Sequence, residues 1–557
     1  MTQRPVTAAP GNPGRRLNRR QALLQTGAGV VAGVATAAAT TGRIAAQEAT
    51  PESASAPPLT VQGEVTPERA AQAVERVREY ATHLLEESGV PGLAVAVVYN
   101  DEVLLAEGFG VRELGKDEPI EADTVFQLAS VSKSLAATVV SSVVGDGSIT
   151  WRSRLADIAP GFALAEAWPT QNVTLTDLFS HRSGLPDHAG DLLEDLGYSQ
   201  VDIFHRLRYL TPAYSFRAGY LYTNYGLTVA AEGVATATGV AWANLSRQRL
   251  YEPLGMDHTS SLFSDYMAQP NRAIPHIRVG DTWEVTPQQR DPDNQSPAGG
   301  VSSTVNDLAK WIRLLFGAGT YEGQELIPAA ALTPVHTPQS FSTVVTDPAN
   351  QRPGFYGLGS GVSYTDFGRP QWSHSGAFAL GAGTAYYLLP ASNFGIVALS
   401  NAMPIGVVEA LCLDVLDVAQ RGEATRDWFA LTGPGLEAVL APTYGTGTDW
   451  EAVPADASPA QPTSAYLGTF SNAYYGDVEV IESGDGLGFR IGPEPREFAL
   501  THYSHDTFSW QPTGENATVR SGLTFTIGVD GTADSFTDED LADGGPGTLV
   551  KAAPVAE

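Results

Sequence analysis

Two side chains in this sequence are spaced to do nucleophilic chemistry. Ser130 and Lys133, in Ser130-Val131-Ser132-Lys133, stand three residues apart, and on a helix that spacing puts both on one face. A lysine held there can take the serine proton if its surroundings favour the neutral amine. The pair then makes a serine nucleophile that needs no catalytic histidine. The same four residues also describe a polar helix start with a lysine in solvent, and such short patterns recur by chance. The next stretch of chain weighs against a lysine in solvent. Leu135 to Val144 is apolar throughout and Gly145 comes next, the pattern of a helix buried on all sides. Lys133 then opens a buried helix, whose first-turn N–H groups and positive dipole end lie beside Ser130. Those groups suit a reaction whose transition state gathers negative charge.

The elements around this pair follow from local patterning. Thr66-Pro67 starts a helix with Val74, Val77, Ala81, Leu84 and Leu85 on its buried face and Gly89 at its end. Leu93 to Tyr99 is a buried strand, and Asn100-Asp101 turns it into a second strand from Val103 to Glu107. A helical middle follows, with Thr174 and Asp177 spaced as a capping box and helices expected over 199–210, 226–238, 242–250 and 305–316. Strands return at 372–375, 384–389 and 394–400, the last two joined by the turn Pro390-Ala391-Ser392-Asn393. Early and late strands bracketing helices imply one sheet built from both parts of the chain, with an α-rich insertion. Residues 433–464 read as a linker rich in Pro, Gly, Ala and Thr. From Ala465 onward short alternating runs separated by Gly, Asp and Pro turns read as a small antiparallel β domain, a barrel or a sandwich.

With 557 residues, 43% hydrophobic and 17% charged, the chain is long enough for more than one globular domain. Its net charge of −29 argues against nucleic acid as a partner. Residues 1–46 differ from the rest: they hold six arginines and no acid. Asn18-Arg19-Arg20-Gln21 precedes a weakly apolar run from Ala22 to Gly42, and Ile44-Ala45-Ala46 offers a cleavage site. This resembles a twin-arginine export signal. A membrane anchor is the competing reading, but Gly and Thr dilute the run, so no stable membrane insertion is expected once the signal is removed. Residues 47–63 read as a linker, which places the hydrolytic domain at 64–432 and the β domain at 465–557. The single cysteine, Cys412, lies in an apolar helical stretch and reads as packing.

Further segments join the Ser-x-x-Lys pair in order along the chain. They are Ser180-His181-Arg182-Ser183-Gly184-Leu185-Pro186, Tyr222-Thr223-Asn224, Glu252-Pro253-Leu254-Gly255-Met256, Ala298-Gly299-Gly300-Val301-Ser302-Ser303-Thr304 and His374-Ser375-Gly376. Together they resemble the serine β-lactamase-related family, which includes class C β-lactamases, D-alanyl-D-alanine carboxypeptidases, D-aminopeptidases and esterases. The likeness covers about residues 66–425. It implies an α+β, β-lactamase/transpeptidase-like fold: an antiparallel sheet flanked by helices plus the α-rich insertion. It also implies roles: Ser130 as acyl-forming nucleophile, Lys133 as its proton shuttle, and Tyr222 as base to Ser130 or acid to the leaving group. Asn224 would hold the substrate amide, His374-Ser375-Gly376 would form the far wall, and the N–H groups of Ser130 and Ala377 would form the oxyanion hole. His181 reads as a structural loop residue, and Gly299 and Gly300 as a turn. Residues from Tyr466-Leu467-Gly468-Thr469-Phe470 onward resemble the lipocalin-like β domain appended to such hydrolases.

One departure from the family pattern bears on substrate. Lactamases and carboxypeptidases of the family usually carry lysine where His374 stands, and a histidine is only partly charged near neutrality. The resemblance therefore points to an ester or a small amide, such as a D-amino-acid peptide, ahead of a β-lactam or a cell-wall peptide. A protein on the same fold that binds or senses without turnover is the reading from another class. Gly-x-Ser-x-Gly, Ser-Asp-Asn and His-Glu-x-x-His are all absent, which excludes the α/β-hydrolase elbow, the class A pattern and that zinc site. His502 and His505 have no acid or cysteine at ligand spacing, so neither a metal nor a cofactor is expected. Oligomeric state is not encoded in any of these motifs.

Overall fold

The computed structural model describes residues 65–484 and 486–553. The expected export signal at 1–46 and the linker at 47–63 lie outside them. The first helix, α1 (Pro67–Ser88), is capped by Thr66, whose hydroxyl accepts from the Arg69 N–H at 3.3 Å, and it closes on Gly89 at φ 69°. Strands β1 (Gly92–Tyr99) and β2 (Glu102–Gly110) follow as a hairpin. The remaining strands of the sheet come from 340–400: β3 (Ser340–Phe341), β4 (Phe355–Tyr356), β5 (Gly361–Tyr364), β6 (Pro370–Phe378), β7 (Ala382–Leu389) and β8 (Phe394–Ser400). They form one antiparallel eight-stranded sheet in the order β2-β1-β8-β7-β6-β5-β4-β3, with Leu93 opposite Ser400 and Tyr99 opposite Phe394.

The unbroken apolar run in β1 reflects burial on both faces. Leu93, Val95 and Val97 face a core shared with α1 and the late helix α5 (Val407–Arg421). Ala94, Ala96 and Val98 face a second core shared with the helical middle. Alternate side chains of one strand thus serve two layers. The helical side contains α2 (Ser132–Gly145), α3 (Asn224–Thr238) and α4 (Val305–Phe316), and every α2 residue from Ser132 to Val143 is buried. The Thr174–Asp177 capping box forms as expected.

The expected linker at 433–464 begins instead as a helix. Helix α6 (Trp428–Leu440) runs through Gly433, Pro434 and Gly435. Tertiary contacts outweigh composition here. Asp427 caps the Ala430 N–H at 2.9 Å, buried Trp428 donates to Asp417 at 3.0 Å, and the Thr432 hydroxyl donates to the Gly406 carbonyl at 2.8 Å.

The C-terminal strands are β9 (Gly468–Asn472), β10 (Gly476–Ser483), β11 (Gly486–Ile491), β12 (Arg496–Ser504), β13 (Thr507–Trp510), β14 (Ser521–Ile527), β15 (Ala533–Asp538) and β16 (Thr548–Lys551). They close into an eight-stranded antiparallel barrel. Aromatic side chains fill it, among them Tyr466, Phe470, Phe489, Trp510, Phe525 and Phe536. The barrel is packed on the α-rich insertion. Tyr198 donates to the Tyr475 carbonyl at 2.5 Å and Arg206 to the Tyr474 carbonyl at 2.7 Å. One apolar cluster also runs from Leu193 and Tyr198 into Tyr474 and Tyr475. No helix among the described residues is long and apolar enough to cross a membrane.

Candidate active site

Ser130 sits on a single 3₁₀ turn, Ala129–Val131, that feeds directly into α2. Ala129 has φ 46°, a left-handed conformation that is strained for a residue with a Cβ. The surrounding structure holds it there. Ala129 packs against Phe378 and Ala382, and strand β6 passes directly beneath the turn. The approach is so close that a Cβ on Gly376 would lie 2.3 Å from the Leu128 carbonyl oxygen, 2.3 Å from Thr384 Oγ1 and 2.9 Å from the Ser130 nitrogen. Only glycine fits at that point. Thr384 Oγ1 donates to the Leu128 carbonyl at 2.7 Å and ties the turn to β7.

Lys133 is wholly buried. Its Nζ lies 3.1 Å from Ser130 Oγ, 2.7 Å from Asn224 Oδ1 and 2.8 Å from the Ala298 carbonyl oxygen. Burial pushes its pKa down to about 7, while the charge of Asp191 pulls in the opposite direction. Two of the three neighbours can only accept. A neutral amine therefore gives its two hydrogens to Asn224 Oδ1 and the Ala298 carbonyl and turns its lone pair to the Ser130 hydroxyl.

Tyr222 brings its hydroxyl up beside Ser130, and burial raises its pKa well above the usual phenol range. It stays protonated at neutral pH. Its ring lies under Lys133 Nζ, 4.6 Å from the centroid, and touches His181 at a centroid distance of 4.6 Å. His181 is buried with φ 56°; its Nδ1 accepts from the Thr223 N–H at 3.2 Å and its carbonyl from the Leu221 N–H at 3.1 Å. It pins the segment that delivers Tyr222.

Three residues expected in the site have other contacts. The Asn224 amide is engaged at both ends: Oδ1 faces Lys133, and Nδ2 donates to Asp191 Oδ2 at 2.8 Å. It is placed to orient the lysine. His374 has both nitrogens occupied. Nδ1 donates to the Ser375 carbonyl at 2.7 Å and Nε2 accepts from the Tyr356 hydroxyl at 2.8 Å. Burial, reinforced by the charge of Lys133, lowers its pKa to about 3, so the ring is neutral. Ser375 points away from Ser130, because strand neighbours alternate faces, and its hydroxyl faces Tyr387 and Glu409 behind the sheet. Gly376 and Ala377 contribute backbone only, and Ala377 lines the same cavity as Ser130.

That cavity holds about 350 Å³. Sequence reasoning missed four of its polar groups: Asp191, Arg290, Tyr356 and Glu515. Asp191 Oδ2 takes both Asn224 Nδ2 and His188 Nδ1, the latter at 2.7 Å. Arg290 pairs with Glu194 at 2.6 Å and with Glu515 at 3.1 Å. None of these four belongs to a short motif, and only the folded chain brings them to Ser130.

A serine on a strained turn, a buried lysine beside it and a tyrosine ring under that lysine, all on an antiparallel sheet with an α-rich insertion, define a serine hydrolase of the β-lactamase and penicillin-binding-protein fold. The sequence profile of the beta-lactamase family matches residues 77–419, and the chain belongs to that family. A second profile, for a domain of unknown function named DUF3471, matches residues 452–545 and covers most of the barrel. Unguisins hydrolase ungD of Aspergillus violaceofuscus is 26% identical over 432 residues, 71% of this chain and 75% of that protein. Penicillin-binding protein 4 of Amycolatopsis lactamdurans is 29% identical across 57% of this chain and 81% of its own length. The D-alanyl-D-alanine-carboxypeptidase/endopeptidase AmpH of Escherichia coli K12 is 23% identical across 61% and 86%. Among solved structures, the octameric penicillin-binding protein homologue from Pyrococcus abyssi superposes with a TM-score of 0.54 at 16% identity, covering 86% of this chain and all of that one. That likeness is one of fold.

Proposed function

We propose that this chain is an exported hydrolase that forms an acyl-enzyme on Ser130 from an ester or a small amide, D-amino-acid peptides included. The buried Lys133, with its pKa near neutrality and its Nζ on Ser130 Oγ, carries the reading. In the first step the Lys133 amine takes the hydroxyl proton as Ser130 Oγ bonds to the carbonyl carbon. The N–H groups of Ser130 and Ala377 receive the oxyanion. The proton then returns through the Tyr222 hydroxyl to the departing oxygen or nitrogen as its bond to carbon breaks. Water repeats the sequence on the acyl-enzyme: Lys133 takes its proton, its oxygen bonds to the carbonyl carbon, and Ser130 leaves reprotonated.

A neutral His374 places no fixed charge on the wall where a substrate carboxylate would dock, which favours an uncharged acyl group. The names of the relatives, which include a penicillin-binding protein and a D-alanyl-D-alanine-carboxypeptidase/endopeptidase, keep β-lactam or D-alanyl-D-alanine cleavage as the second reading. The twin-arginine pattern at Asn18-Arg19-Arg20 supports export to the cell envelope or medium. Wild type and Ser130→Ala assayed on a p-nitrophenyl ester, a D-alanine amide and a chromogenic cephalosporin separate these readings. Ester or amide turnover lost in Ser130→Ala is the expected outcome. Cephalosporin turnover alone would favour the second reading, labelling of Ser130 without turnover would favour a sensor, and turnover unaffected by Ser130→Ala would refute the mechanism.

A further inference from the structure

The loop between β13 and β14 leaves the barrel and enters the hydrolytic cleft. Gly514 permits the approach: its φ is 115°, and a Cβ there would lie 2.3 Å from the carboxylate of Asp195. The next residue, Glu515, lines the same cavity as Ser130. One carboxylate oxygen, Oε1, accepts the Ala379 N–H, and the other, Oε2, lies 3.1 Å from Arg290 Nε. Arg290 in turn bonds Glu194 Oε2 through Nη2 at 2.6 Å, and its carbonyl accepts Gln127 Nε2 at 2.8 Å. Arg290, Glu194 and Glu515 have side chains only 12%, 7% and 13% exposed, so these are desolvated, directional contacts.

Their anchor points are informative. Ala379 stands two residues past Ala377, and Gln127 three residues before Ser130. Ala377 and Ser130 carry the two N–H groups that would receive the oxyanion. One strut, from Gln127 through Arg290 to Glu515 and Ala379, therefore spans both halves of the oxyanion hole, and its central carboxylate comes from the other domain. We infer that Glu515 is a positioning residue for the hydrolytic reaction and that the barrel serves as a working wall of the active site. This rests on the acyl-enzyme reading of Ser130. Removing the carboxylate leaves the end of β6 held by the β7 ladder alone and Arg290 one partner short, so the spacing of the two N–H donors is less firmly enforced. Loss of geometry on the ångström scale at an oxyanion site costs about 10–100-fold in turnover.

The test uses the full chain, the p-nitrophenyl ester, and the variants Glu515→Ala and Glu515→Gln. Glutamine keeps an acceptor for Ala379 but not the charge facing Arg290. The expected order of kcat is wild type, then Gln lower by about threefold or more, then Ala lower by about 10–100-fold, with KM within about twofold and the pH dependence of kcat/KM unmoved. Arg490→Ala, on the barrel surface away from the cleft, should match wild type. Wild-type kcat in Glu515→Ala, or a loss confined to KM, would overturn the inference. Should Glu515→Ala fail to fold, wild-type kcat in Glu515→Gln would overturn it equally. If wild type itself shows no Ser130-dependent turnover, the acyl-enzyme reading is what fails.

Discussion

If Lys133 is the base, its titration must be visible in the pH dependence of kcat/KM. An ordinary lysine titrates near 10.5, so at pH 7 only about one molecule in 3,000 carries a neutral amine. Burial brings this lysine to about 7, where about half do. The environment of one side chain thus raises the population of competent base by about three orders of magnitude. The expected profile climbs about tenfold per pH unit below 7, bends there and levels off, leaving about 1% of the plateau at pH 5. Tyr222 adds no descending limb in the neutral range, because burial holds its phenol above the usual value. Two histidines near the site cannot imitate the rise: His374 titrates near 3, and burial holds His181 well below 6.5. Three variants discriminate further. Lys133→Arg, which keeps the charge but cannot release it, should lose about 10³-fold or more in kcat/KM. Asp191→Asn removes the charge that pulls the Lys133 pKa upward, so the bend should move to lower pH, whereas His188→Gln should leave it in place. The assay is pH-stat titration of ester hydrolysis, with the proton yield per turnover corrected at each pH for the ionisation of the products. A flat profile, an active Lys133→Arg, or a bend that ignores Asp191→Asn but vanishes in His188→Gln would refute the reasoning.

Two other expectations arise from the same neighbourhood. Gly376→Ala should cost about 100-fold in kcat, because its Cβ would meet the Leu128 carbonyl oxygen and Thr384 Oγ1 at 2.3 Å and push the nucleophile turn off strand β6; steady-state kinetics on the ester would show this, and wild-type kcat would contradict it. Lys133 also costs stability: with its folded pKa near 7 and its unfolded one near 10.5, the unfolded chain binds the extra proton between those values, so stability rises with pH across that window. Lys133→Met removes that dependence. Denaturant titrations should show the variant's stability relative to wild type falling by about 1.4 kcal/mol per pH unit from 7 to 10, and a pH-independent difference would contradict a depressed lysine.

The parts of the site that were legible in sequence are those encoded by local period. Ser130 on its turn and Lys133 in the first turn of α2 stand three residues apart, Tyr222 stands two residues before α3, and His374 and Gly376 share a strand face, so spacing alone aligns them. The same rule, applied one step further, would have placed Ser375 behind the sheet, since a residue between two site-facing neighbours must point away. The contacts of Asn224 were hidden for a different reason. Its amide is taken by Asp191, 33 residues away in sequence, and no local pattern announces which of two hydrogen-bonding partners wins. The linker expected at 433–464 shows composition overruled by packing: Asp427 as a cap and Trp428 and Thr432 four residues apart were signals of a helix, but Gly433-Pro434-Gly435 hid them.

Lys133 and Glu515 show where local reading must stop. A lysine titrates near 7 only when water is removed from all sides, and the groups that do this here, Tyr222, Asn224 and Ala298, arrive from α3 and from segments up to 165 residues distant. Ser-x-x-Lys names the pair that could react, but the reactivity belongs to the enclosure. Glu515 extends the point across a domain boundary. Its contact at Ala379 spans 136 residues, and its own loop carries no motif. A barrel attached by a linker and free to move could not hold a carboxylate on the end of an oxyanion strand. Here Tyr198, Arg206 and the cluster around Tyr474 and Tyr475 fix the barrel to the insertion. The apolar contact between the domains is therefore the precondition for the polar one in the cleft, and substitutions that loosen it should lower turnover before they unfold either domain.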